Sequence, residues 1–395
     1  MRGQLGVKPL ALSPEVDAIL HLDAPVAIGV SGGKDSCAVA LATVEHLNDM
    51  HHIGPRVLVH SDLGRTEWKA SLPTCERLAR TLGVELMVVR RATGDMMDRW
   101  LTRWENNLTR YCNLQCVRLI LPWSTPSMRF CTSEMKTAVI CRALAERFPA
   151  QNILSVSGIR RQESRQRAKA PIFKEQPKLV RRTWDRTLKV STIVCSGFDW
   201  HPILEWTLDD VLEFLAARQF ALHEAYTRFG SSRVSCVFCI MSALADLAAA
   251  VQDPRNHDIY RLLVDLEIRS TFAFQSGRWL GDVAPHLLEP TQLVRLYQAK
   301  DSARQREEIE ARIPKHLLYT KGWPTVMPTP READLLADTR RRIADLIGIM
   351  LGQMRYVTGD TITARYAELM AARGHAPEDP VDEESQGALF MSEVV

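Results

Sequence analysis

Ser31-Gly32-Gly33-Lys34-Asp35-Ser36 places two glycines, two hydroxyls, an ammonium and a carboxylate between an apolar run, "VAIGV" (26–30), and a helical pattern, "SCAVALATVEHLND" (36–49). A strand that turns sharply into a helix leaves backbone N–H groups unpaired at the helix N-terminus, where the helix dipole also favours an anion. Gly32 and Gly33 permit unusual dihedrals and close approach of a ligand. Ser31 and Ser36 add hydroxyl donors, and Lys34 adds positive charge. The stretch reads as a phosphate cradle, with Lys34 and Asp35 as candidate catalytic groups. It is not the common P-loop, which sets four residues between its glycines and follows Lys with Ser or Thr. Here three residues separate Gly29 from Gly33, and Asp35 follows Lys34. The dinucleotide fingerprint G-x-G-x-x-G fails as well.

Further chemistry falls at other segment ends. Asp62 closes the run "RVLVHSDLG" (56–64), where a carboxylate either accepts from a ribose or adenine or caps the strand end. Glu67 reads equally as a capping residue in the first turn of a helix. Gly158 and Arg160 end "QNILSVSGIR" (151–160), and a guanidinium fork suits phosphate or sulfate oxygens. Arg160 is the candidate for a second anion contact and, with Lys34 and Asp35, a candidate catalytic group; Arg165 is a weaker anion contact. From Gly158 to Lys189 the chain carries eleven basic and three acidic residues. Such a run is either a solvated basic surface or a nucleic-acid track. Trp184 and Phe173 are its only aromatic residues. His201 precedes a proline and reads as structural rather than catalytic.

Nine cysteines do not suggest a disulfide framework in a chain of this size and expected compartment. Cys37, Cys75 and Cys141 lie in helical patterns and read as packing residues. Cys236-x-x-Cys239 has the spacing of half a metal or cluster site, or is a pair of partly buried thiols.

These residues need elements to hold them. Strand, helix, strand, helix, strand is the order read over 26–91, with helices at 36–49 and 67–83 and strands at 26–30, 56–64 and 84–91. That order implies a mainly parallel, doubly wound α/β sheet with helices on both faces. An irregular region follows at 92–130, then a helix at 134–148, strands at 151–160 and within 192–206, and a helix at 207–219 with Thr207 as N-cap. Helical patterns dominate after about 243. The expected organisation is an N-terminal segment (1–25), a nucleotide-binding domain (26–250), a helical accessory region (251–375) and an acidic tail (376–395) whose composition implies disorder. No apolar stretch has the length of a membrane helix, and no signal or transit pattern opens the chain, so the expected location is cytoplasmic, with no membrane partner.

With its flanking strand and helix, "SGGKDS" resembles the PP-loop of ATP pyrophosphatases and of phosphoadenosine phosphosulfate (PAPS) reductases, the adenine nucleotide alpha-hydrolase-like superfamily. Five more segments resemble that family's pattern in the same order: "HSDLGRTEWK" (60–69), "RFCTSEMK" (129–136), "SGIRRQES" (157–164), "HPILEWTLDDVLEFL" (201–215) and "SSRVSCVFC" (231–239). The resemblance covers about 26–245 and leaves the C-terminal helices outside. It implies an enzyme that binds an adenine nucleotide, ATP or PAPS, on Ser31, Gly32, Gly33, Lys34, Asp35, Ser36, Asp62, Gly158 and Arg160, with Mg2+ accompanying ATP. APS reductases of the family hold an iron–sulfur cluster with two adjacent cysteines and a later Cys-x-x-Cys. Here Cys131 matches the first of the adjacent pair, but Thr132 stands at the second. Three thiolates remain for a 4Fe-4S cluster, or for zinc: Cys131, Cys236 and Cys239. Cys112-x3-Cys116 would supply a fourth ligand or part of a zinc site.

Three readings compete. The first is ATP-dependent, adenylating sulfur transfer, with nucleic acid as an acceptor or a sulfur-carrier protein as a partner. The second is reduction of PAPS or APS to sulfite. Against it, no cysteine follows Cys239, so the C-terminal Glu–Cys–Gly–x–His segment of the thiol-dependent reductases has no match. The third is a non-catalytic nucleotide-binding module whose C-terminal helices meet a partner.

Overall fold

The computed structural model describes residues 8–185 and 189–373. The tail read as disordered, 376–395, lies outside the described residues, as do the first seven residues. Two compact units share the chain: the described residues of Met1–Asp98 with Ser124–Tyr260, and of Arg99–Trp123 with Arg261–Val395. The sequence reading put the boundary at 250 and counted 99–123 with the nucleotide domain. The structure groups that segment with the C-terminal helices.

The first unit is built on six strands in the order β3-β2-β1-β4-β8-β5. They are β1 (Val26–Gly29), β2 (Arg56–Asp62), β3 (Glu85–Arg90), β4 (Ile153–Val156), β5 (Phe173–Glu175) and β8 (Gly197–Trp200). All pairings are parallel except β5 with β8 at the edge. Residues alternate between two cores, as the period of a strand requires. Val26, Ile28, Leu58, Leu154 and Val156 face one apolar cluster, shared with Val39, Leu47, Leu78 and Leu215 from the helices Lys34–Asp49, Ser71–Leu82 and Leu208–Ala217. Ala27, Val57, Val59 and Ile153 face the other, with Cys141 and Leu144 from the helix Ala138–Arg147. Helices therefore cover both faces, and the doubly wound expectation holds.

Local rules set the element ends. Gly83 closes the helix Ser71–Leu82 with φ 64°, a left-handed C-cap that glycine adopts without strain. Thr207 Oγ1 accepts from Asp210 N (3.1 Å) while Asp210 Oδ2 accepts from Thr207 N (2.6 Å), a reciprocal cap that starts the helix Leu208–Ala217. The region read as irregular, 92–130, contains the helix Met96–Cys112. Its many Arg and Asn residues mask a buried stripe, Met96, Met97, Trp100, Trp104 and Tyr111, at helical spacing. The stretch read as strand within 192–206 divides between β8 and a separate two-stranded ladder of β6 (Arg181–Asp185) and β7 (Val190–Cys195).

The second unit is helical. Ile313, Leu317, Trp323, Leu336, Ile362 and Tyr366 pack with Leu114 and Val117. Arg340 is fully buried, and its guanidinium donates to the carbonyls of Tyr111 (2.7 Å), Cys112 (3.1 Å) and Tyr356 (2.8 Å). Glu267, also buried, takes three backbone donors: Phe274 N and Leu280 N on Oε1 (both 2.7 Å), and Gly281 N on Oε2 (3.1 Å). Glu267→Gln turns an acceptor into an NH2 group that faces one of those donors. It is expected to lower unfolding free energy by roughly 1–2 kcal/mol, read as a shift in the urea midpoint at constant slope. No helix among the described residues is long and apolar enough to cross a membrane.

Candidate functional site

The strand order runs outward in both directions from the β1/β4 boundary. In an open α/β sheet, ligands bind at such a boundary, in the crevice outside the carboxyl ends of the strands. Ser31–Ser36 follows β1, Asp62 ends β2, and Gly158 and Arg160 follow β4. The fold thus brings these sequence-chosen residues to carboxyl ends of neighbouring parallel strands.

The loop is shaped by its glycines and serines. Gly32 has φ +75°, and a Cβ there would stand 2.9 Å from the Ser71 carbonyl oxygen. Ser36 Oγ donates to Gly33 O (2.8 Å) and accepts from Ser31 N (3.1 Å), which folds the loop back on the first turn of the helix Lys34–Asp49. Gly158 passes so close to that turn that a Cβ would lie 2.6 Å from Asp35 O. The absent side chain lets the end of β4 reach the loop.

A chain of charges joins the two strand ends. Lys34 Nζ lies 3.2 Å from Asp35 Oδ2, and Arg160 Nε donates to Asp35 Oδ1 at 2.7 Å. Arg160 is 5% exposed and also donates from Nη1 to Gln162 Oε1 (3.0 Å). Asp35 therefore holds two cations at the carboxyl ends of β1 and β4. Both cationic side chains are largely buried, with 11% of Lys34 and 6% of Arg160 exposed. Arg165 is exposed in the short helix Arg165–Ala168 and has no side-chain partner among the described residues.

Asp62 takes the geometry of the capping alternative. Its Oδ1 accepts from Gly64 N (2.7 Å), and its Oδ2 meets Arg90 Nη2 (2.5 Å). Glu67 precedes the helix instead of sitting in its first turn. Its Oε2 meets His60 Nε2 (3.2 Å) and Leu63 N (3.4 Å), closing the turn after β2. His201 is buried with Nδ1 2.9 Å from Ser157 Oγ, and burial holds its pKa below the ordinary value.

Three residues at the site carry no spacing signal in the sequence. Tyr226 Oη accepts from Lys34 N and from Val234 N, each at 3.2 Å, and the Lys34 ammonium lies 5.2 Å from the centre of the Tyr226 ring. Lys34 Nζ also reaches Ser232 O at 3.4 Å. Asp246 secures the same segment from behind, accepting from Ser232 N (2.7 Å) and Ser232 Oγ (3.1 Å). The third is His223, whose Nδ1 accepts from Ala225 N (2.9 Å) and whose ring edge flanks Gly32. His60, first in a segment that the sequence did single out, sits behind the loop. Burial opposes its charge, yet contacts to Cys75 and Glu67 raise it to about 10.

His223 gives a pH prediction. Burial, with Arg77 and Arg255 nearby, pushes its pKa down from 6.5 to about 4. Between those values the unfolded chain takes up a proton that the buried ring refuses, so stability falls as pH drops through that window. His223→Asn keeps a capping acceptor but does not titrate. It is expected to flatten the urea midpoint against pH between about 4 and 6.5 relative to the parent chain.

The cysteines expected as ligands, Cys131, Cys236 and Cys239, all belong to the first unit. Burial pushes the Cys236 thiol up to about 12; Cys239 and Cys131 add to the rise, and Lys136 opposes it. Among the described residues, however, no three His, Cys, Asp or Glu side chains gather as a group that would hold a metal ion. The three sulfurs lie in one unit without forming a closed ligand set. Cys112 and Cys116 belong to the second unit, near Tyr111 and Arg340. Cys37, Cys75 and Cys141 are buried in the apolar cores. A cavity of about 570 Å³ lies in the second unit, lined by Trp104, Ile268, Arg269 and Arg295 among others, and none of the candidate site residues lines it.

The sequence matches a family described as the phosphoadenosine phosphosulfate reductase domain over residues 25–242. No curated protein matches the chain. Among solved structures, a PAPS reductase from Candida auris in a phosphate complex aligns with a TM-score of 0.34 and 11% identity, covering 58% of this chain and 98% of that one. The U34-tRNA thiolase NcsA from Methanococcus maripaludis, with its 4Fe-4S cluster, aligns with a TM-score of 0.33 and 13% identity, covering 74% and 73%. At those scores neither likeness carries an argument about this chain.

Proposed function

Because this chain belongs to the phosphoadenosine phosphosulfate reductase domain family, we propose that it binds an adenine nucleotide at Ser31–Ser36 and uses ATP to activate an acceptor for sulfur transfer. The observation that carries this reading is the Lys34–Asp35–Arg160 cluster at the carboxyl ends of β1 and β4. Two cations held by one carboxylate match an anion that gains charge as it leaves. The acceptor oxygen attacks the α-phosphorus of Mg2+-bound ATP, the bond to the bridging oxygen breaks, and pyrophosphate leaves. Lys34 and Arg160 stabilise the charge that develops on that leaving group. The terminal sulfur of a persulfide, brought by a carrier protein, then attacks the activated carbon and displaces AMP, and a second thiol of the carrier cleaves the S–S bond, leaving a carrier disulfide and the thiolated acceptor. The acceptor class is nucleic acid. A 4Fe-4S cluster or zinc would add a Lewis-acidic site for sulfur, but the thiols as placed form no ligand set for it, and no step here uses one.

The test is product analysis under anaerobic conditions. Pyrophosphate and AMP release from ATP, dependent on acceptor and sulfur donor, is expected. Sulfite released from PAPS with thioredoxin, and no pyrophosphate from ATP, would establish reduction instead. Tight ATP binding without turnover under either condition would leave a nucleotide-binding module.

A further inference from the structure

The β6–β7 hairpin stands outside the main sheet, and its base is built with care. Leu179 is buried and crosses Gly197 so closely that a Cβ on the glycine would lie 2.1 Å from Leu179 Cβ. Cys195, paired with Arg181, is buried as well. Beyond that base the described residues of both strands turn exposed. Trp184 is 61% exposed, and Val190, Ile193 and Val194 are close to half. A two-stranded ribbon without a packed face is marginal in water, so this one is suited to meeting something else.

Its register says what. Trp184 pairs with Ser191 and Arg182 with Ile193. Alternation therefore sets Trp184, Arg182, Ser191 and Ile193 on one face, and Thr183, Thr192 and Val190 on the other. Arg181, Arg182 and Lys189 are exposed, and neither arginine has an acidic partner among the described residues. The ribbon also ends the run from Gly158 to Lys189 in which basic residues outnumber acidic ones eleven to three. Apolar side chains divided between two faces do not form one surface to sink into lipid. An exposed indole beside an unpaired guanidinium is instead the pairing that stacks a base and neutralises its phosphate.

We infer that the β6–β7 hairpin docks unpaired nucleotides of a single-stranded nucleic acid, with a base stacked on Trp184 and phosphates met by Arg181 and Arg182. The inference rests on the proposed sulfur transfer for what the docked strand is for, but binding itself is measured without ATP. The probe is a short, labelled single-stranded RNA of mixed sequence, followed by fluorescence anisotropy with the full chain. Trp184→Ala is expected to raise Kd about fivefold or more, and Trp184→Phe to restore most of the loss. Arg182→Ala is expected to make the dependence of log Kd on log salt shallower by about 0.7. Both positions are exposed, so the three variants should fold, and ATP affinity serves as the control. Unchanged RNA affinity in Trp184→Ala overturns the inference. So does retention on anionic vesicles, or tighter binding to a duplex, with single strands ignored. Loss of ATP binding with RNA binding intact would sink the proposed activity and leave the hairpin's role standing.

Discussion

Arg160→Ala is expected to lower the unfolding free energy by about 3–5 kcal/mol, the usual result of removing one partner from a buried ion pair. The guanidinium is almost wholly buried, and its Nε donates to Asp35 Oδ1 at 2.7 Å. Without it, Asp35 keeps only Lys34 at 3.2 Å. Chemical denaturation checks the size of the effect. Asp35→Asn in the Arg160→Ala background should recover part of the loss, because it removes the carboxylate left short of a partner. An Arg160→Ala chain as stable as its parent would mean that the pair does not form in solution.

Lys34→Ala is expected to weaken adenine nucleotide binding by about 1.5–3 kcal/mol, the scale of a hydrogen bond to a charged group, or roughly tenfold to 150-fold in Kd. The ammonium faces Asp35, Ser232 O and the Tyr226 ring, so its loss also leaves Asp35 Oδ2 without its cation. Calorimetric titration with ATP and with PAPS separates the two ligands. Equal affinities in parent and variant would remove the loop from the binding site. Stability should change less than in Arg160→Ala, because Asp35 keeps its shorter bond to the more buried partner.

Parallel order and the turn from β1 into its helix were legible in the sequence. Buried parallel strands read as near-continuous apolar runs, and Gly32, Gly33 and Ser36 mark a sharp strand-to-helix turn. The helix Met96–Cys112 was not legible as such, because its buried stripe of Met, Trp and Tyr is interleaved with Arg and Asn that resemble loop composition. Asp62 could be narrowed only to two roles, since nothing local announces that Arg90 will arrive from β3. Tyr226 was out of reach altogether. It lies 192 residues from Lys34, and pairings over such a span are set by topology rather than by local pattern. Spacing brought Cys236 and Cys239 together but could not say whether the sulfurs would close around an ion.

Tyr226 Oη has two lone pairs, and both are taken: one by the amide that opens the helix after β1, the other by the amide two residues before Cys236. A phosphate oxygen bound to the first amide would displace the tyrosine, and the second amide would lose its tether in the same event. In the proposed reading, nucleotide binding at the loop would therefore also loosen the backbone leading to Cys236.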